Sequence, residues 1–543
     1  MKSNTPKTCF TYGFAALLLC VTGLPATVGA DSAIKEKPVA RSGRSNAVPL
    51  PAPREVAGTY AKALEDARAL RPIDHQADSA IIFIGDGMGM STVTAARILA
   101  GQREGRSGEE GMLAWEHLPS SAFVKTFNTN QQVADSAGTA TAIFTGHRTN
   151  SGVLGIGPSV SRGDCEGSKR APLASLFELA TGAGLATGVV TDTRITHATP
   201  AAAYAHTPER DWESNLEMPE AAREAGCKDI ATQLVDANID VVFGGGLRAF
   251  LPQTDFRQLA SGGGSGVGER TDGRNLVQAW LAQSPDRRFI TDKDALDKLD
   301  PSVDGAVLGL FAPSHLAYRY KRANTDQPSL TDMTTRAIEL LQSKSKRWLL
   351  LVEAGRIDHG HHEGRAAVAL DETIALSETV AAALSLIDLQ RTTVIVTADH
   401  SHTLTISGYP TRGNPILGKV VANGDDGRGL STASHATDGK PYTTLGYANG
   451  PGSVDDGRKR VDLTDVNTAT FQFQQDARFR VATEVKPGVE LIMETHSGED
   501  VPLWAAGPRA YLFGGTIEQP FIFHALAAAL ELPTAVATAS SRR

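Results

Sequence analysis

Short apolar runs alternate with helical stretches along most of this chain, and that alternation constrains its fold more than any other feature. The runs are Ala80–Ile84, Ala186–Thr191, Val241–Phe243, Trp348–Val352, Thr393–Thr397 and Leu503–Ala506. A helix between consecutive strands is the crossover that parallel pairing needs. The expected fold is therefore α/β, a mainly parallel central sheet with helices on both faces. With 543 residues, 41% of them hydrophobic, the chain can bury a large core. Length alone allows two to four domains, and one large α/β domain with insertions fits equally well. No fixed-period repeat is visible.

The ends and the insertions read differently from the core. Lys2 and Lys7 precede an apolar run from Phe14 to Leu24, and Val28-Gly29-Ala30 supplies small residues before Asp31. Residues 1–30 are thus predicted to be a signal peptide cleaved after Ala30. The apolar run is too short to span a membrane comfortably, and Leu19-Cys20 is only a weak lipidation signal. The expected location is periplasmic or extracellular, without a stable membrane anchor. Residues 31–75 read as a leader followed by a helix from about Val56 to Leu70, and 76–404 as the core. Residues 405–490 are rich in Gly, Asp and Asn, with turns at Asn423-Gly424 and Asn449-Gly450. They are expected to form an insertion with a small β subdomain, before 491–535 return to the core. Ser261–Gly268 reads as a flexible surface loop. A net charge of −8 argues against broad nucleic-acid binding, which needs a basic face. Cys165 and Cys227 remain after the signal peptide leaves. A bridge between them would stabilise an exported protein by about 4 kcal/mol. Two buried free thiols are the alternative, because sequence does not set their separation.

Four of the runs lead straight into residues with metal-binding side chains. Asp86 follows the first; His197 and Thr199 lie beyond the second. Glu353 and Asp358 follow the fourth, and Asp399-His400 the fifth. Open α/β sheets bind ligands at the carboxyl ends of their strands, so one fold rule gathers these distant residues at one edge. Asp358 and His362 are four apart, on one face of any helix they share. With Asp399, His400 and His496 they form a mixed Asp/His set that suits Zn²⁺. Asp86, Thr199 and Glu353 offer oxygens, which suit Mg²⁺. His361 and His402 taken singly read as supporting or structural. Asp135-Ser136-Ala137-Gly138-Thr139 opens a helix of small residues. A serine there is most often only an N-cap. It also feels the positive helix terminus, where free N–H groups bind anions. Beside a metal set it becomes a candidate nucleophile.

These motifs, with Val352-Glu353-Ala354-Gly355-Arg356-Ile357-Asp358 and Thr397-Ala398-Asp399-His400-Ser401-His402, resemble the alkaline phosphatase family from about residue 78 to 530. Arg210-Asp211-Trp212 and Gly507-Pro508 resemble its animal branch. The resemblance implies a phosphomonoesterase acting through a phosphoserine on Ser136, with two Zn²⁺ and one Mg²⁺. It implies Asp358, His362 and His496 for one zinc, and Asp86, Asp399 and His400 for the other. Asp86, Thr199 and Glu353 would hold magnesium, and Arg210 would clamp phosphate. Asp135, His197 and His359 would support these groups. It further implies phosphate monoesters as substrates with little selectivity, a homodimer, and a crown-like role for 405–490. Some animal members carry a peripheral calcium site. Its acidic residues are missing or displaced in Phe311-Ala312-Pro313 and Asp326-Gln327-Pro328, so no calcium is expected. The alternatives are a phosphodiesterase or sulfatase on the same scaffold, and a non-catalytic metal- or phosphate-binding protein. Ser136 lacks the Cys/Ser-x-Pro-x-Arg setting of sulfatases.

Overall fold

The computed structural model describes residues 59–255, 268–453, 460–486 and 489–533. The signal segment, and all of the loop at 261–268 except Gly268, lie outside the described residues. The helix expected near 56–70 is present as Thr59–Ala69.

Ten strands form the central sheet: β1 (Ser79–Gly85), β2 (Ser120–Lys125), β3 (Ala186–Arg194), β4 (Val241–Gly245), β5 (Arg288–Ile290), β6 (Val307–Leu310), β7 (Trp348–Ala354), β8 (Thr392–Ala398), β9 (Val501–Ala506) and β10 (Gly515–Glu518). Their order is β10-β2-β9-β8-β1-β7-β3-β4-β6-β5. All pairs are parallel except those of β9 with β8 and β2. Among the described residues no helix lies between β8 and β9. The chain re-enters the sheet from the insertion without a helical crossover, and β9 runs against its neighbours.

Each apolar run read from the sequence falls inside one strand. The central strands β1, β7 and β8 are buried along their whole length, as continuous apolar runs require. Helices cover both faces. In β3, Gly188 faces Leu341 of a helix at Leu330–Lys344, where an added Cβ would lie 3.0 Å from Leu341 Cδ1. Its neighbour Thr187 places Oγ1 3.4 Å from Thr181 Oγ1 of the helix Leu176–Gly182. Successive strand residues point to opposite faces, so these helices lie on opposite sides.

The parallel register sets up the site. Gly85 pairs with both Ala354 and Ala398, and Thr191 pairs with Glu353. Asp86 and Asp399 are therefore the first residues beyond adjacent strands, and Glu353 stands one step inside. In the insertion, Leu404–Ile406 pairs with Leu445–Tyr447, and Val481–Lys486 with Val489–Met493, both antiparallel.

Cys165 and Cys227 are joined, with their Cα atoms 6.0 Å apart. They pack with Trp212, Met218 and Ala222 in a small cluster separate from the main core. Closing a 62-residue separation limits the unfolded chain. Cys227→Ser is expected to cost about 4 kcal/mol of stability. Urea unfolding with and without reductant checks this, and an unchanged midpoint would count against it.

Candidate active site

Ser136 is the first residue of the helix Ser136–Thr145, and Asp135 is its cap, accepting the Gly138 N–H at 3.1 Å. The small residues have a local reason. A Cβ on Gly138 would lie 2.2 Å from Asn128 Oδ1, so glycine lets Asn128 reach Asp135, donating to Oδ1 at 2.8 Å. The other oxygen of Asp135 accepts the Gly152 N–H at 3.0 Å and Arg210 Nη1 at 3.2 Å. Burial works against the Asp135 charge. Arg210 and the Gly138 and Gly152 N–H groups nevertheless hold its carboxyl below the ordinary range. One carboxylate thus positions both the nucleophile's helix and the arginine opposite it.

Ser136 Oγ lies 3.1 Å from His400 Nε2. The same nitrogen is 3.3 Å from Asp399 Oδ2 and 3.4 Å from Asp86 Oδ1. A second group mirrors the first. Asp358 Oδ1 is 3.3 Å from His362 Nε2 and 3.4 Å from His496 Nε2, and the two nitrogens are 3.2 Å apart. Asp358 and His362 stand one turn apart on the helix Arg356–His362, as their spacing predicted. A tetrahedral ion with bonds of about 2.0–2.1 Å keeps neighbouring ligand atoms about 3.3 Å apart, the spacing seen in both groups. The histidine tautomers agree. His362 Nδ1 faces the Glu494 carbonyl at 2.6 Å and His496 Nδ1 faces the Ala134 carbonyl at 2.8 Å. With each Nδ1 directed at a carbonyl, both rings turn Nε2, the atom that can ligate a metal, toward Asp358.

A third group sits behind Asp86. Both Asp86 oxygens, Thr199 Oγ1, Glu353 Oε1 and His197 Nδ1 are buried without a hydrogen-bond partner. Unpaired buried polar atoms are costly, and those of Asp86, Glu353 and His197, whose ligand atoms lie within 4.8 Å of one another, mark a cation site. Thr193 Oγ1 donates to Glu353 Oε2 at 2.9 Å, and Thr191 Oγ1 donates to the same oxygen, leaving Oε1 free. Burial, then Asp399, Asp358 and Glu353, push Asp86 well above the ordinary carboxyl range. The excess of negative charge fits divalent cations.

Seven of the eight predicted ligands lie in three adjoining groups, and the eighth, Thr199, is buried with its Oγ1 unpaired. The supporting residues divide. His197 joins the third group and places Nε2 3.3 Å from Arg210 Nη2. His359 lies behind it, its ring 5.8 Å from that of His197 and its Nδ1 2.8 Å from Arg356 Nη1. His402 bridges Asp358 at 2.7 Å and Glu494 at 2.5 Å, and is pushed up to about 10: burial opposes its charge, but Glu494 and Asp358 outweigh burial. His361 is structural, held between Thr92 Oγ1 at 3.0 Å and Tyr447 Oη at 2.8 Å.

Sequence reasoning gave no role to Glu494, Thr193, or the pair Arg194–Glu213, whose Nε and Oε2 are 2.7 Å apart. Glu494 stands two residues before His496, and that proximity was its available signal. The groups open into a cleft of about 890 Å³ that includes Asp135, Arg194, His197, Arg210, His362 and His496.

Comparison with known proteins gives the same reading. The alkaline phosphatase family profile matches residues 77–532. The chain is 43% identical over 470 residues to the tissue-nonspecific alkaline phosphatase of Gallus gallus, covering 86% of each. Identity is 41% over 471 residues to the alkaline phosphatase of Gadus morhua, covering 86% of this chain and 94% of that one. Among solved structures, the alkaline phosphatase of Thermus thermophilus superposes with a TM-score of 0.58 at 22% identity, covering 85% of this chain and 93% of that one. The enzyme of the Antarctic bacterium TAB5 gives 0.55 at 20%, covering 85% and 100%. At those identities the two structures speak to the fold. The profile and the animal relatives speak to the rest: this chain belongs to the alkaline phosphatase family and hydrolyses phosphate monoesters.

Proposed function

We propose that hydrolysis proceeds through a phosphoserine on Ser136, at a centre of two zinc ions and one magnesium ion. The observation that carries this reading is the convergence of Asp, Glu and His ligand atoms into adjoining groups beside the serine that opens the helix Ser136–Thr145, with the atoms of Asp86, Glu353 and His197 left unpaired. Asp358, His362 and His496 would hold one zinc, and Asp86, Asp399 and His400 the other. Asp86, Thr199 and Glu353 would hold magnesium, a metal also bound in a TAB5 variant. When bound, the zinc ions supply Lewis acidity that lowers the pKa of the Ser136 hydroxyl and stabilises the leaving oxygen, while magnesium orders the carboxylates behind them.

The remaining steps belong to the chain. The N–H groups at the start of the serine's helix face the entering phosphate. Arg210 holds two of its oxygens with a planar fork, and Asp135 keeps that fork aimed. Ser136 Oγ attacks phosphorus in line with the leaving alcohol, whose P–O bond breaks toward His362 and His496. Water then cleaves the phosphoserine from the vacated side, releasing phosphate and restoring the hydroxyl.

The test is turnover of p-nitrophenyl phosphate at alkaline pH, beside bis-p-nitrophenyl phosphate and p-nitrophenyl sulfate. Fast monoester turnover, lost with chelator and regained with zinc and magnesium, is the expected result. Preference for the diester or sulfate would move the chain to the alternative readings. Arg210→Lys keeps a charge but loses the fork, and is expected to lower kcat/KM by about 10²-fold. An unchanged value would remove Arg210 from phosphate binding.

Export and dimerisation complete the proposal. Among the described residues no helix is long and apolar enough to cross a membrane. The secreted product is expected to begin at Asp31 by N-terminal sequencing, and to scatter light as a dimer.

A further inference from the structure

Arg210 has a second set of supports, outside the groups described above. Arg162 Nε donates to Glu209 Oε2 at 2.7 Å, and its Nη2 donates to Glu209 Oε1 at 2.6 Å. The same Nη2 reaches Asp211 Oδ2 at 3.0 Å. Glu209 and Asp211 are the two sequence neighbours of Arg210. One guanidinium therefore holds the residues on both sides of the arginine that faces phosphate. The carboxylate of Glu209 closes the loop again by accepting the Asp211 N–H at 3.1 Å, across Arg210.

The backbone beneath is shaped for this arrangement. Gly152 has φ +78°, and a Cβ there would lie 2.4 Å from Arg162 Nε, so the guanidinium rests on bare backbone. The Gly152 carbonyl accepts the Arg210 N–H at 2.8 Å, and its own N–H reaches Asp135 at 3.0 Å. The Gly163 N–H donates to the Pro208 carbonyl at 2.9 Å, fastening the two segments side by side. Arg162 thus joins, through one glycine and two carboxylates, the same frame that Asp135 fixes from the nucleophile's side.

We propose that Arg162 is the positioning residue of the phosphate clamp: by tying Glu209 to Asp211 it holds the backbone that aims Arg210. The proposal rests on the reading of Arg210 as the clamp. Arg162 touches no reacting atom, so its loss should weaken phosphate binding more than it slows chemistry.

The experiment measures KM and kcat for p-nitrophenyl phosphate, and the inhibition constant of inorganic phosphate, on the metal-loaded enzyme. The variants are Arg162→Ala, Arg162→Lys, Glu209→Gln, Arg210→Ala, and Arg162→Ala combined with Arg210→Ala. Arg162→Ala is expected to raise KM and the phosphate inhibition constant about tenfold, with kcat within about twofold. Combined with Arg210→Ala it should add nothing, because its effect passes through that side chain. Arg162→Lys restores the charge without the fork and is expected to recover only part of the loss.

Glu209→Gln decides between aim and charge, and carries the test if Arg162→Ala does not fold. Removing a carboxylate near a dianion tightens binding if charge alone matters; loss of positioning weakens it about tenfold. Tighter phosphate binding in Glu209→Gln, full recovery by lysine, or an undiminished effect of Arg162→Ala beside Arg210→Ala would each overturn the proposal. If Arg210→Ala alone leaves the inhibition constant unchanged, the clamp reading fails and the proposal falls with it. If Arg210→Ala weakens phosphate but Arg162→Ala does not, only the proposal falls.

Discussion

Ser136→Ala is expected to lower turnover of p-nitrophenyl phosphate by at least about 10³-fold while inorganic phosphate still binds. The substitution removes one oxygen from the start of a helix. The cap that holds that helix is Asp135, whose bonds to Gly138, Gly152 and Arg210 do not involve the Ser136 hydroxyl. The backbone N–H groups and the arginine fork therefore remain in place, and the phosphate inhibition constant should stay within about tenfold of wild type. What disappears is the covalent step. Acid-quenched enzyme labelled with ³²P-phosphate should carry label on Ser136 in the wild type and none in the variant. A variant retaining a tenth of wild-type turnover would show that water attacks phosphorus directly and that Ser136 is only the first residue of its helix.

Asp86→Asn should have the second-largest effect, with a sign that depends on metal. Asp86 lies first after β1, and the register places it between Asp399 and Glu353. It belongs to two of the three ligand groups. Losing its charge should deplete both the zinc beside Ser136 and the magnesium, and lower activity about 10³-fold. Metal analysis after dialysis checks the first outcome, and full occupancy would refute the shared-ligand assignment. In chelated protein the sign reverses. There the carboxyl is buried among Asp399, Asp358 and Glu353 and lies well above its ordinary range. A carboxyl raised on folding makes the folded state bind its proton more tightly than the unfolded chain. Stability then falls as pH rises above the ordinary carboxyl value. Asparagine cannot ionise, so the variant without metal should unfold at the same or a higher temperature than wild type at neutral pH. It should also show a shallower loss of stability with rising pH. Thermal unfolding with chelator and with zinc plus magnesium measures both arms. A variant that is less stable in each would mean Asp86 is a structural anchor rather than a ligand.

Both experiments act on residues that stand out in the amino-acid sequence itself. The reason is periodicity. A fully buried parallel strand must be a run of apolar residues, so β1, β3, β7 and β8 are legible as runs, and the polar residues just beyond them are conspicuous. The strands that escape such a reading are those without that requirement. β5 has three residues at one edge, and β10 is an exposed strand at the other. β2 beside it alternates exposed and buried positions. β6 is buried, but its four residues include a glycine.

Sequence by itself determined the α/β class and placed the chemistry at strand ends. It singled out the eight metal-type candidates and Ser136, because these signals are local: a run, a spacing of four, a serine before small residues; Arg210 entered only through the resemblance of its motif to the family. Tertiary structure alone decided how those residues are shared and aimed. Which atoms converge on Asp86, which oxygen of Glu353 stays free, and which carbonyls set the tautomers of His362 and His496 depend on strand register and on contacts between distant segments. The direction of β9 depended on the insertion that delivers it. Arg162 is the plainest case. It sits in a polar loop 47 and 49 residues from its partners, with no periodic pattern to mark it. A salt bridge across that distance leaves no trace in composition or spacing, because it is made by the fold that brings the two loops together.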